Sequence, residues 1–191
     1  ESRNYQARKS VLEYDDVMNT QRKIIYEQRR QVLDGEDLQK SIASMMQYYV
    51  ESYVTNAFAG QPHLEDRQAF FSLMSHFENI CFPKGAWIAT DEELQTMDAA
   101  QMEARISDML HKSYEKKEAQ YGSPVMRELE RVITLRVVDE YWMDHIDAMD
   151  DLRQGIRLRA YAQTDPVIEY KREGFDMFEA MTNAIKEEIV R

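Results

Sequence analysis

Apolar positions fall at helical steps along almost the whole of this chain. From about Arg3 to Leu33, the residues Ala7, Val11, Tyr14, Met18, Ile25 and Val32 keep a heptad-like spacing, broken at one seam position by Gln21. A second row, Tyr5, Leu12, Val17, Ile24 and Leu33, lies on another side. The pattern predicts one helix of roughly 45 Å at ~1.5 Å per residue, with partners on more than one side. Asp34-Gly35 ends it, because glycine suits the left-handed position beyond a helix terminus. A second helix is expected from about Asp37 to Phe58, carrying Leu38, Ile42, Met45, Tyr49 and Tyr53, and a third from about Leu64 to Ile80, with Phe70, Phe71, Met74 and Phe77. Pro83-Lys84-Gly85 breaks the third. Thr90 with Glu93 has the form of a capping box before a short helix to about Met97, and Asp98 opens another to about Tyr121.

The last third reads as two long helices joined by a polar tip. Leu135, Val138, Trp142, Ile146, Met149 and Leu152 share one face of a helix running from about Pro124 to Ile156. After the tip, Val167, Tyr170, Gly174, Phe178, Met181, Ile185 and Ile189 share a face of the next. Asp165-Pro166 reads as an N-cap followed by proline at the first helical position, where its missing N–H costs nothing. Gly155 and the run from Arg157 to Thr164 leave room only for a reversal, so the pair is an antiparallel αα-hairpin. The fold class is all-α, and Ala86 to Ala89 is the only extended-looking stretch.

Composition narrows the function classes. The 191 residues include six glycines, four prolines and a single cysteine, Cys81, which favours helix and excludes an internal disulfide framework. A net charge of −11 argues against a dedicated nucleic-acid binder, which needs a surplus of Lys and Arg. No apolar run approaches the ~18 residues of a membrane-spanning helix. The chain begins without Met, and the helical pattern is already running at Tyr5 and Ala7, so a segment of a longer protein is expected.

Catalytic chemistry is hard to place. None of the glycines, at 35, 60, 85, 122, 155 and 174, lies in a phosphate-cradling loop ending in Lys and Ser or Thr. His63, His76, His111 and His145 are scattered, without metal-ligand spacing to one another or to Cys81, so no metal site is expected. Asp15-Asp16 and Asp150-Asp151 are adjacent on helices and therefore splay rather than converge. His145, next to Asp144 without a nucleophile, reads as a helix-flank residue. Lys171 and Arg172, between Glu169 and Glu173, read as a salt-bridged face, and most of the twelve methionines as packing.

The tip stands apart. Arg153, Arg157 and Arg159 make it locally basic, Gln163 is polar, and Tyr161 offers aromatic area with a hydroxyl. Two readings are open from the residues alone: Tyr161 presses on an extended polypeptide of any sequence, or it folds back to cap its own hairpin.

The segment LRQGIRLRAYAQTDPVIEYKREGFDMFEAM closely resembles the two-helix finger of the SecA family, the motor ATPases of bacterial preprotein export, and SRNYQARKSVLEYDDVMNTQRKIIYEQRR resembles part of that family's long scaffold helix. The resemblance is specific over about the first 33 and last 70 residues and positional between them. It implies a helical scaffold helix over 1–34, an inserted helical wing over 35–122 and the two-helix finger over 123–191. It further implies that Tyr161, with Arg157, Arg159 and Gln163 beside it, contacts the preprotein near the channel entrance. Trp142, Met149, Tyr14 and Met18 are then expected to pack scaffold against finger. The implied partners are a preprotein substrate, the Sec channel of the plasma membrane and the other domains of the same chain, without nucleic acid. ATP and Mg would be held by those other domains, at the inner, cytoplasmic face of the membrane, with this region restraining the ATPase until substrate or channel binds.

Two other classes fit parts of the pattern. A stand-alone helical adaptor would need no motor. A nucleic-acid-binding helical domain would use Arg153, Arg157, Arg159, Lys171 and Arg172, but between Asp150 and Glu173 five acidic residues offset those five. Because the phosphate loop is missing, the 191-residue chain alone is predicted neither to bind nor to hydrolyse ATP; micromolar binding in a calorimetric titration would contradict this.

Overall fold

The computed structural model describes residues 2–35, 38–64, 66–78, 80–159 and 165–191, with side chains throughout these except in 2–7 and 157–159. The described residues form seven α-helices: α1 (Ser2–Leu33), α2 (Gln39–Phe58), α3 (Arg67–Ser75), α4 (Asp91–Thr96), α5 (Ala99–Tyr121), α6 (Ser123–Arg159) and α7 (Pro166–Val190). They include no strand, only an isolated bridge between Glu78 and Phe82, and the fold is all-α. Ala86 to Ala89 belongs to no ladder.

Local signals account for most helix ends. Thr90 accepts from the Glu93 amide at 3.2 Å while the Glu93 carboxylate accepts from the Thr90 amide at 2.9 Å, a reciprocal box repeated by Asp98 and Gln101 ahead of α5. Asp165 accepts from the Val167 amide at 2.9 Å, so α7 starts at Pro166. The third helix is shorter than its pattern suggested. Asp66 caps it by accepting from the Ala69 amide at 2.8 Å. The chain then leaves the helix at His76, and the amides of Cys81 and Phe82 both return to the Phe77 carbonyl, which lets Phe77, Cys81 and Phe82 all reach the core. The freed carbonyl of His76 accepts from the Tyr49 hydroxyl at 2.9 Å.

The chain divides into two compact units, one of Glu1–Glu36 and Arg131–Ile185, the other of Asp37–Glu130 and Lys186–Arg191. In the second, α2 supplies Tyr49, Val50, Val54 and Phe58 to a core shared with Phe70, Leu73 and Met74 of α3 and Met102, Ile106 and Leu110 of α5. Trp87 packs edge-on to Phe70 at 5.1 Å, and the Arg105 guanidinium lies 4.1 Å over its ring. Ile189 and Val190 pack against this same core, and Lys186 sits 4.4 Å over Tyr48. Burial pushes the Cys81 thiol up to about 11, so it is protonated and unreactive at neutral pH. At the bend between α5 and α6, where Gly122 takes φ +85°, the buried Glu130 accepts from Tyr114 and from Arg127, and Arg127 also binds Glu118 at 3.1 Å. Burial first, and then Glu130, pushes the Tyr114 hydroxyl up to about 12.

In the first unit, contacting pairs fix the helix directions. Met149 meets Gly174 and His145 meets Phe178, so α6 and α7 are antiparallel. Gln21 meets His145 and Arg29 meets Asp139, which sets α1 antiparallel to α6, while Tyr14 against Tyr170 and Gln21 against Gly174 set it parallel to α7. On α1 the seam residues Tyr14, Gln21, Ile25 and Val32 are buried, but Val11 is exposed. The second apolar row is open at Leu12, Ile24 and Leu33, which find no cover among the described residues, while Val17 is partly buried and the Tyr5 side chain lies outside the described residues. Trp142 is 5% exposed, and its ring lies 5.7 Å from that of His145. Trp142→Ala is therefore expected to destabilise the chain by ~3–5 kcal/mol, read as a lowered denaturant midpoint; a shift worth under ~0.5 kcal/mol would mark a surface residue.

Candidate functional site

The end of α6 and the start of α7 close over an apolar base. Met149, Leu152 and Ile156 from the end of α6, Val167 and Tyr170 from the start of α7, and Tyr14 from α1 form one buried cluster, with Val17, Met18 and Met177 packed against it. The Tyr14 and Tyr170 rings meet edge to face at 4.7 Å, a favoured arrangement of their quadrupoles. The helices therefore stay packed up to the last turn before the reversal. Of the expected packing residues, Tyr14, Met18 and Met149 share this cluster, and Trp142 lies two turns back along α6, beside His145.

The tip residues themselves fall differently. Arg157 and Arg159 belong to α6, but their side chains lie outside the described residues, as do Tyr161 and Gln163 altogether. On the flanks, Arg153 donates to Asp150 at 2.6 Å and Gln154 donates to the same carboxylate at 2.8 Å. Asp150 is thus engaged along its own helix and does not converge with Asp151. Arg172 donates to Glu169 at 2.6 Å on an exposed face of α7. Such exposed pairs contribute little to stability.

Below the base lies a buried polar group that the sequence had presented as two unrelated residues. Gln21, an interruption in the α1 seam, and His145, which had read as a flank residue, are both 5% exposed and face one another. The Gln21 Nε2 donates to the Gly174 carbonyl at 3.0 Å, and its Oε1 lies 2.8 Å from His145 Nε2. A carbonyl can only accept, so the amide orientation is fixed, and His145 must be the tautomer carrying its proton on Nε2. At Gly174 itself the missing side chain leaves room for Met149: an added Cβ would stand 2.7 Å from Met149 Cε and 3.3 Å from its sulfur. The signal available in the sequence was one polar residue on each seam, without means of pairing them.

Among the described residues no group of three or more His, Cys, Asp or Glu side chains could hold a metal ion, and no helix is long and apolar enough to cross a membrane.

The sequence profile described as SecA Wing and Scaffold domain matches residues 1–191. The chain belongs to this SecA family. It is 48% identical to the protein translocase subunit SecA of Acetivibrio thermocellus, matching all of this chain and 21% of that protein. Protein translocase subunit SecA 1 of Clostridioides difficile is also 48% identical, with the same shares, and SecA of Syntrophomonas wolfei is 45% identical, with 23% of its length matched. The chain thus spans about a fifth of the length of the curated relatives it matches.

Burial holds the His145 pKa below its ordinary value. The neutral ring is favoured in the folded state, so its contribution is complete above the unfolded histidine pKa of ~6.5 and is lost as pH falls through the folded value. Stability is expected to decline from about pH 7 to pH 5, and His145→Asn should flatten that decline. Equal slopes for the two proteins in thermal melts across this range would contradict the assignment.

Proposed function

We propose that this chain is the scaffold and wing segment of an ATP-driven motor that moves unfolded preproteins through a membrane channel. The observation that carries the reading is the family match over residues 1–191, joined to relatives named protein translocase subunit SecA at 45–48% identity. In this reading residues 1–34 are the scaffold helix, 35–122 the wing and 123–191 the two-helix finger. ATP and Mg are bound by domains outside this chain, and the segment couples them to substrate and restrains hydrolysis until substrate or channel is engaged. The protein works at the cytoplasmic face of the plasma membrane, with the preprotein, the Sec channel and its own remaining domains as partners.

The geometry supports a mechanical role rather than a chemical one. Each helix of the hairpin satisfies its own backbone hydrogen bonds, and the base is closed by Met149, Leu152, Ile156, Val167, Tyr170 and Tyr14, so a displacement applied to α1 reaches the tip through packed side chains. Tyr161 then presses on the substrate with a ring that requires no particular sequence, while its hydroxyl bonds the passing backbone. Arg157, Arg159 and Gln163 surround that contact.

In the full-length protein, Tyr161→Ala and Tyr161→Ser are expected to reduce translocation strongly while leaving folding and basal ATP hydrolysis nearly intact, and Tyr161→Phe to retain more transport than either. A photo-reactive group at position 161 should cross-link to a preprotein arrested midway. The control position is Ala104, on the exposed side of α5. Wild-type transport by the Ala variant together with absent cross-links at 161 would reduce the finger to a brace.

A further inference from the structure

We propose that Gln21 is a register pin: it holds α1, α6 and α7 at one longitudinal setting, so that the long helix and the hairpin move as one body instead of sliding past each other. Three helices packed through apolar side chains meet similar surroundings after a slip of one turn, about 5.4 Å. Buried polar groups do not, because each needs a specific partner.

Here the partners exist at one setting. Gln21 reaches the α7 carbonyl at Gly174. One turn to either side, α7 carries Tyr170 and Phe178 instead. On α6 the partner is His145 Nε2, and the neighbouring turns offer the thioether of Met149 or the indole of Trp142. A slip toward Met149 leaves the amide oxygen without a donor, because a thioether can only accept. A slip toward Trp142 meets an indole N–H that has no partner among the described residues, but it forfeits the Gly174 and His145 bonds.

A second polar link between α1 and α6 is weaker as a pin. Arg29 donates to both carboxylate oxygens of Asp139, at 2.8 and 3.1 Å, but the two side chains are 42% and 47% exposed. Water and salt can replace that pair at little cost. They cannot enter at Gln21 without opening the packed seam.

The test is a distance measurement in the full-length protein, on a background free of other reactive cysteines, with spin labels at Lys9 and Asp147, both exposed and well separated along the helix axes so that a slip changes the distance directly. The wild type should give one narrow distance distribution by pulsed electron paramagnetic resonance. Two variants remove the pin: Gln21→Met with His145→Phe, which leaves no buried polar group behind, and Gln21→Asn, whose amide is one methylene too short to span both partners. Each is expected to show a second population displaced by about one turn, ~5 Å, and the double variant to melt no lower than wild type. His145→Gln, which preserves a donor, should keep the single wild-type distance. An unchanged single distance in either unpinned variant that folds, or the same broadening in His145→Gln, would overturn the proposal. The readout does not involve transport, so its failure and failure of the translocation reading are separately visible.

Discussion

The bare backbone at Gly174 is the constraint on which the three-helix unit depends. Met149 lies so close to it that a β-carbon there would sit 2.7 Å from the methionine methyl. The absence of a side chain leaves that space to Met149, which is 1% exposed, and the carbonyl of the same residue accepts from Gln21. Glycine costs about 1 kcal/mol relative to alanine inside a helix. The cost is offset locally by the packing of Met149 with Tyr14, Leu152, Ile156, Val167 and Tyr170.

The polar interactions of the first unit divide into two groups by their access to water. Arg153 with Asp150, Arg172 with Glu169 and Arg29 with Asp139 are all substantially exposed and exchange readily with solvent. The Gln21 amide and the His145 ring are buried, and losing either partner would strand a donor or acceptor in a dry seam at ~1–3 kcal/mol. Abundance of ion pairs on the surface is therefore a poor guide to what holds these helices. One amide and one imidazole carry more positional information than the three exposed pairs.

The second unit builds its order from different means. Its helices are shorter, and side chains close the gaps between them: Tyr49 satisfies the carbonyl at the end of α3, Trp87 takes Phe70 on its edge and Arg105 on its face, and Tyr114, Arg127 and Glu130 bind across the bend at Gly122. The last residues of α7 join this core through Ile189 and Val190, although their sequence stripe simply continues the one that runs through Met181 and Ile185. A helical stripe states that a face is apolar. It does not state which neighbour covers it.

That distinction marks what the sequence by itself determined. The all-α class, the capping boxes at Thr90 and Asp98, the start of α7 at Pro166 and the reversal between α6 and α7 follow from residues within a few positions of each other, where backbone sterics and side-chain caps act directly. The burial of Tyr14 and Met149 follows from helical phase. The early end of α3, by contrast, is imposed by a core that needs Phe77, Cys81 and Phe82 together, and Leu12, Ile24 and Leu33 stay exposed because no neighbour among the described residues lies on that side of α1. Gln21 and His145 are 124 residues apart in sequence. Only the packing of three helices decided that they meet, because a hydrogen bond depends on where two side chains arrive in space and no local pattern encodes that distance.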